Sequence, residues 1–107
     1  MFEKYYTGLA KKYNYRFNWT DIRNNGKPFL KELELELSET HPLYNRASAA
    51  LLKCESNDDV LFQIDDDLYA IVHLTYSQKN EKGFPRHKVF TDLQEAFRHI
   101  EESICQS

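Results

Sequence analysis

The chain has 107 residues, 41% hydrophobic and 14% aromatic, and its 17 acidic and 14 basic side chains leave a formal net charge of -3. That length suits one domain over residues 1–107, burying roughly 60–70% of the surface its unfolded chain exposes, so no disulfide framework is required. Only three Gly and three Pro, with many aromatics, argue against disorder, and no apolar run approaches the roughly 18 residues of a membrane helix.

Phe2, Tyr6, Leu9 and Tyr13 recur at the spacing of one helix face. Gly8, inside that pattern, weakens the helix by about 1 kcal/mol relative to Ala. Tyr15, Phe17 and Trp19 alternate with polar residues, which predicts a short extended segment, and Asn24-Asn25-Gly26 is a turn signal. Residues 28–38 fit two patterns. Leu33, Leu35 and Leu37 alternate with glutamates as in a strand, yet Phe29, Leu30, Leu33 and Leu37 share one helical arc that leaves only Leu35 outside. Pro28 suits a first helical turn, and Leu, Glu and Lys are good helix formers, so the segment is read as a helix. It should end near Glu39, because Pro42 pushes His41 away from helical geometry.

Residues 47–54 are read as a strand. Asn57-Asp58-Asp59 is a turn, Val60, Phe62 and Ile64 alternate in a second strand, and Asp65-Asp66-Asp67 turns the chain again. The strongest strand is residues 68–76, with Leu68, Ala70, Val72 and Leu74 on one face and Tyr69, Ile71, His73 and Thr75 on the other. Residues 77–87, with Gly83 and Pro85, read as a surface loop. A closing helix over 91–104 has Thr91 and Gln94 spaced as a capping box and an apolar stripe of Leu93, Ala96, Phe97, Ile100 and Ile104. The expected architecture is α+β: a three-stranded antiparallel meander with helices packed on one face and a C-terminal helix.

Three segments taken in order, His41-Pro42-Leu43-Tyr44, Asp58-Asp59-Val60-Leu61-Phe62 and Val72-His73-Leu74-Thr75-Tyr76, resemble those of a family of small, functionally uncharacterised bacterial proteins. The likeness spans roughly residues 30–92, and relatives tend to carry Trp where this chain has Tyr76. The resemblance implies a shared fold and no established activity.

Charge is unevenly spread. Residues 1–31 carry seven basic and two acidic side chains, while residues 32–107 carry seven basic and fifteen acidic. In the basic segment, Lys4, Lys11, Lys12 and Arg16 are interleaved with Phe2, Tyr5, Tyr6, Tyr13, Tyr15, Phe17 and Trp19. Such a mixture can stack bases and track phosphates, but these aromatics follow helix and strand periods. The segment 1–27 is therefore expected to lie against the acidic body, 28–107, and nucleic acid is not the expected partner.

His41, Asp58, Asp59, His73, Glu81 and His87 lie in or beside the three segments. A His polarised by a carboxylate is the unit of general acid–base catalysis and of many metal sites. The structural alternative is that the Asn-Asp-Asp turn accepts backbone N–H groups and that His73 makes one satisfying bond. Cys54 and Cys105 match no zinc or Cys-x-x-Cys spacing and read as reduced thiols of a cytoplasmic protein, Cys54 as a small buried hydrophobe. Asp65-Asp66-Asp67 lacks the alternating ligands and Gly of a calcium loop. No phosphate-cradling glycine loop, nucleophile elbow or zincin motif occurs, and no metal or cofactor is expected.

Two functional expectations follow. One is a non-enzymatic protein-binding module, an immunity-type or regulatory inhibitor, that meets a basic partner through Asp58, Asp59, Asp65, Asp66, Asp67 and Glu81. The alternative is a small hydrolase or metal-dependent enzyme in which His73 and Asp58 or Asp59, with His41, converge in one pocket. Exposed strand edges could pair two copies, but no residue specifies an oligomer.

Overall fold

The structure, a computed structural model, describes residues 1–76 and 85–105. Helix α1 spans Phe2–Tyr13, a 3-10 turn covers Asn14–Arg16, and strand β1 is Trp19–Asp21. Helix α2 (Lys27–Glu36) follows, then strands β2 (Ala47–Cys54), β3 (Asp59–Ile64), β4 (Leu68–His73) and β5 (Arg86–Phe90), and helix α3 (Leu93–Cys105). The strands form one antiparallel sheet in the order β1-β2-β3-β4-β5, each beside its predecessor.

The α+β class and the C-terminal helix are as expected, but the sheet has five strands rather than three. The two additions are its edges. Strand β1 is three residues long with an exposed Thr20, and four of the five residues of β5 are exposed. Of the expected extended segment only Trp19 enters β1, since Asn14–Arg16 is a 3-10 turn, and β5 shows no apolar alternation because an exposed edge strand has less to bury. Residues 77–84 of the expected loop lie outside the described residues, and its end is strand, since β5 begins at Arg86.

The helices also cover both faces of the sheet rather than one. Leu61 of β3 and Ile71 of β4 pack with Leu9 of α1 and with Ala96, Phe97, Ile100 and Ile104 of α3. Val60, Phe62, Ile64, Ala70, Val72 and Leu74 point the other way and pack with Leu33 of α2 and with Leu37 and Leu43. The unbroken run Val60-Leu61-Phe62 is fully buried, as a strand covered on both faces requires. In β2, Ala50 pairs with Phe62 and Leu52 with Leu61, so Leu51 is an extra residue. This bulge turns both Leu51 and Leu52 into the α1–α3 core.

Helix α2 confirms the helical arc: Leu33 and Leu37 are buried, while Leu35 is half exposed. Pro28 sits in its first turn, and Leu37 is already extended, so the helix ends three residues earlier than Glu39. Gly26 lets α2 approach the sheet, since a Cβ there would lie 3.1 Å from both Cβ and O of Ala50. Helix α3 begins with a capping contact one residue later than expected. The Glu95 N–H donates to Asp92 Oδ1 at 2.8 Å, and the Thr91 hydroxyl instead approaches the Glu95 carboxylate at 3.4 Å.

The basic, aromatic segment docks on the body. Phe2, Tyr5, Tyr6, Tyr13 and Phe17 pack against the α1–α3 core. Phe2 and Tyr5 each bring their ring centroid to 5.5 Å from that of Phe97, and Lys12 pairs with Glu101 at 2.7 Å, so α1 and α3 run side by side in the same sense. Arg16 donates to the Ile104 carbonyl at 3.3 Å. Tyr15, 93% exposed, stays outside the core.

Candidate functional site

Strand register decides which of the polar residues meet. Asp59 of β3 lies opposite His73 of β4, which lies opposite Arg86 of β5, so all three share the face covered by α1 and α3. His73 Nδ1 is 2.7 Å from Asp59 Oδ1. The His73 side chain is half exposed, so the pair stands on the surface. His99 of α3 joins this strip. Its ring lies 5.4 Å from that of Phe90. Burial and the nearby Lys88 ammonium hold its pKa below the ordinary value, against the opposing pull of Glu102 and Asp59.

His41 lies on the opposite face. His87 pairs with Val72 and so shares the α2 face, and the His41 and His87 rings meet there with centroids 4.7 Å apart and planes tilted by 56°. His41 Nδ1 accepts the Leu43 N–H at 3.0 Å, which fixes the turn and places the buried Leu43. Burial, with repulsion from His87, lowers the His41 pKa despite a hydrogen bond to the Pro85 backbone. Asp58 is exposed, 4.0 Å from Lys53 Nζ. Of His41, Asp58, Asp59 and His73, the fold therefore brings only Asp59 and His73 into hydrogen-bond reach. Among the described residues, no group of three His, Cys, Asp or Glu side chains could hold a metal ion. Cys54 is buried, with Sγ 3.3 Å from Ser56 Oγ.

The acidic residues expected to form one binding surface lie at opposite ends of the central strand β3. Asp58 and Asp59 start β3, and Asp65, Asp66 and Asp67 form the hairpin after its far end, separated by the strand's length of about 20 Å. Glu81 lies outside the described residues. The hairpin tip is strongly braced. The Arg46 guanidinium holds Asp65 Oδ2 through Nη2 at 2.6 Å and Nε at 3.0 Å, and donates through Nη1 to the Pro42 carbonyl at 3.1 Å. The Asp65 N–H returns to the Arg46 carbonyl at 2.9 Å, and the Ser48 hydroxyl reaches the Asp65 carbonyl at 3.3 Å. Asp66 and Asp67 project beyond this brace and are exposed.

One functional-looking group escaped the sequence reading altogether. Glu36, at the end of α2, has no solvent exposure. Its carboxylate accepts the Thr75 N–H at 2.8 and 3.1 Å, the Thr75 hydroxyl at 3.0 Å and the Tyr76 N–H at 3.0 Å. Burial alone would raise its pKa, but a hydrogen bond with Glu32 and those from Thr75 and Tyr76 bring it below the ordinary value. Tyr76 sits at φ 58°, a left-handed conformation rarely adopted by an aromatic residue, and Glu36 holds it there. The signal was a glutamate three residues after Leu33, bordering the apolar arc of α2.

Two surface grooves accompany these features. One of about 440 Å³ lies beside the turn before α2 and includes Arg23, Gly26 and Lys27. Arg23 is committed there, bidentate to Asp21 and stacked 4.1 Å over the Phe2 ring. The other, about 360 Å³, runs between α1 and α3. No family model, curated protein or solved structure matches the chain, so its reading rests on this geometry.

Proposed function

We propose that the protein is a non-enzymatic binding module that docks on a basic protein surface through the acidic β3–β4 hairpin, as an immunity-type or regulatory inhibitor would. The observation that carries this reading is the brace on Asp65. Arg46 neutralises one carboxylate and braces the turn, which leaves Asp66 and Asp67 displayed at the hairpin tip. A pre-ordered charged tip loses little conformational entropy on docking and speeds encounter with an oppositely charged surface. Asp58 and Asp59 stand at the other end of the strand, Asp59 bound to His73 and Asp58 4.0 Å from the Lys53 ammonium, which makes them secondary. The three family-like segments mostly build the core: Val60, Leu61, Phe62, Val72 and Leu74 are fully buried. This supports the structural alternative for the polar residues among them. The test is capture of a protein partner from the native cell at low and high salt, with wild type and an Asp66→Asn/Asp67→Asn variant. Retention by wild type at low salt, lost in the variant, is expected; equal retention by both overturns the reading.

A second reading draws on the 2.7 Å contact between His73 and Asp59. A carboxylate-polarised imidazole at a surface strip with Lys88 and His99 fits general-base chemistry on a substrate delivered to that strip. Hydrolysis of an activated aryl ester that disappears in His73→Ala and falls in Asp59→Asn supports it. Rates equal to wild type in both variants refute it.

A further inference from the structure

The α1–α3 groove combines an apolar floor with unspent positive charge. Tyr5 and Phe97, with ring centroids 5.5 Å apart and planes 31° apart, form the floor together with Leu9. The Lys12–Glu101 pair, 2.7 Å long and reinforced by the Tyr13 hydroxyl on Glu101 at 2.7 Å, spans from one helix to the other along it. Lys4 on α1 and Arg98 on α3 stand exposed along the groove, and neither forms an ion pair with any described residue.

Gly8 lies between them and has no structural reason to be glycine. It is inside a regular helix, and a Cβ there would meet nothing within 4 Å. Gly26 is the contrast, crowded against Ala50 and Ile22. A glycine inside a helix costs stability relative to alanine, and the open space a larger side chain would enter at position 8 is the groove itself.

We propose that this groove binds a small organic anion with a flat aromatic body, an aromatic carboxylate or sulfonate. The ring would lie on Tyr5 and Phe97 in the gap that Gly8 leaves, and Lys4 and Arg98 would take the negative group. Its volume of about 360 Å³ is that of a site for one such molecule. The site is on a different surface from the acidic hairpin and does not depend on the partner proposed for it.

Fluorescence titration of the intact protein with anilinonaphthalene sulfonate tests this, with neutral phenylnaphthylamine as the uncharged comparison. Saturable one-site binding is expected, weakened at least about tenfold in Lys4→Gln/Arg98→Gln and for the neutral dye. Gly8→Leu should abolish it while keeping the wild-type circular dichroism, because leucine favours a helix. No saturable binding, wild-type affinity in the charge variant or in a folded Gly8→Leu variant, or equal affinity for the neutral dye overturns the proposal. Lys4 and Arg98 are exposed, so the charge variant keeps the test decisive if Gly8→Leu does not fold.

Discussion

Replacing Glu36 by Gln should unfold the protein far more easily than any surface change. The side chain keeps its shape, but only one end can still accept. The carboxylate now serves Thr75 N–H, Thr75 hydroxyl and Tyr76 N–H on its two oxygens at 2.8–3.1 Å. Charge-assisted bonds contribute about 1.5–3 kcal/mol each and neutral ones about 0.5–1.5 kcal/mol, while a buried donor left unpaired costs about 1–3 kcal/mol. In Glu36→Gln the amide NH₂ can donate to Glu32, but one of the Thr75 and Tyr76 donors loses its acceptor and the remaining bonds become neutral. The loss should be about 3 kcal/mol, a fall of roughly 12–24 °C in Tm for a chain of this size. Urea unfolding followed by the fluorescence of Trp19, the single and buried tryptophan, measures it directly, with a midpoint roughly 2 M lower at an m-value of about 1.5 kcal/mol/M. The folded pKa of Glu36 lies below its unfolded value. The stabilisation from its bonds to Thr75 and Tyr76 is therefore in place above the ordinary carboxylate value of about 4.3 and is lost as pH falls through the folded value. Glu36→Gln should remove that part of the acid limb. A loss below about 0.5 kcal/mol would show that the carboxylate does not hold the Thr75–Tyr76 turn.

Other substitutions probe neighbouring parts of the account. His41 and His99 both have lowered pKa values, so stability should be full above about pH 6.5 and fall as pH drops below it towards the folded values. A His41→Gln/His99→Gln variant should show a flatter profile in the same urea assay. Gly8→Ala should raise stability by about 0.5–1 kcal/mol, whereas Gly26→Ala should lower it by about 1–3 kcal/mol through overpacking against Ala50; thermal melts distinguish the two. A double-mutant cycle on Asp59 and His73 should give a coupling below about 1 kcal/mol, since the pair is exposed.

Residues whose burial follows a simple period were legible in the sequence, and those placed by long-range contacts were not. The helical arc of Phe29, Leu30, Leu33 and Leu37 decided α2 correctly, and the alternation of Leu68, Ala70, Val72 and Leu74 marked β4. The second apolar face of β3 and β4 was visible in Val60-Leu61-Phe62 and in Ile71, yet counting one helix layer missed it. Strand β5, Arg86–Phe90, carries no apolar alternation because its exposed edge position needs none. The Asp59–His73 contact followed from a strand register that hairpin lengths nearly fix. The split of His41 from His73 did not, because it depends on β5 bringing His87 to the α2 face. Glu36 stayed hidden because Thr75 and Tyr76, whose backbone N–H groups it binds, lie 39 and 40 residues away, and backbone N–H groups leave no mark in a sequence.

The central claim is that the braced hairpin carries the function. The most direct measurement is the affinity of the captured protein partner for wild type and for Asp66→Asn/Asp67→Asn as salt is raised. Wild-type affinity should fall steeply with salt, and the variant should bind at least about tenfold more weakly with a shallower dependence. Equal affinities with the same salt dependence would contradict the account.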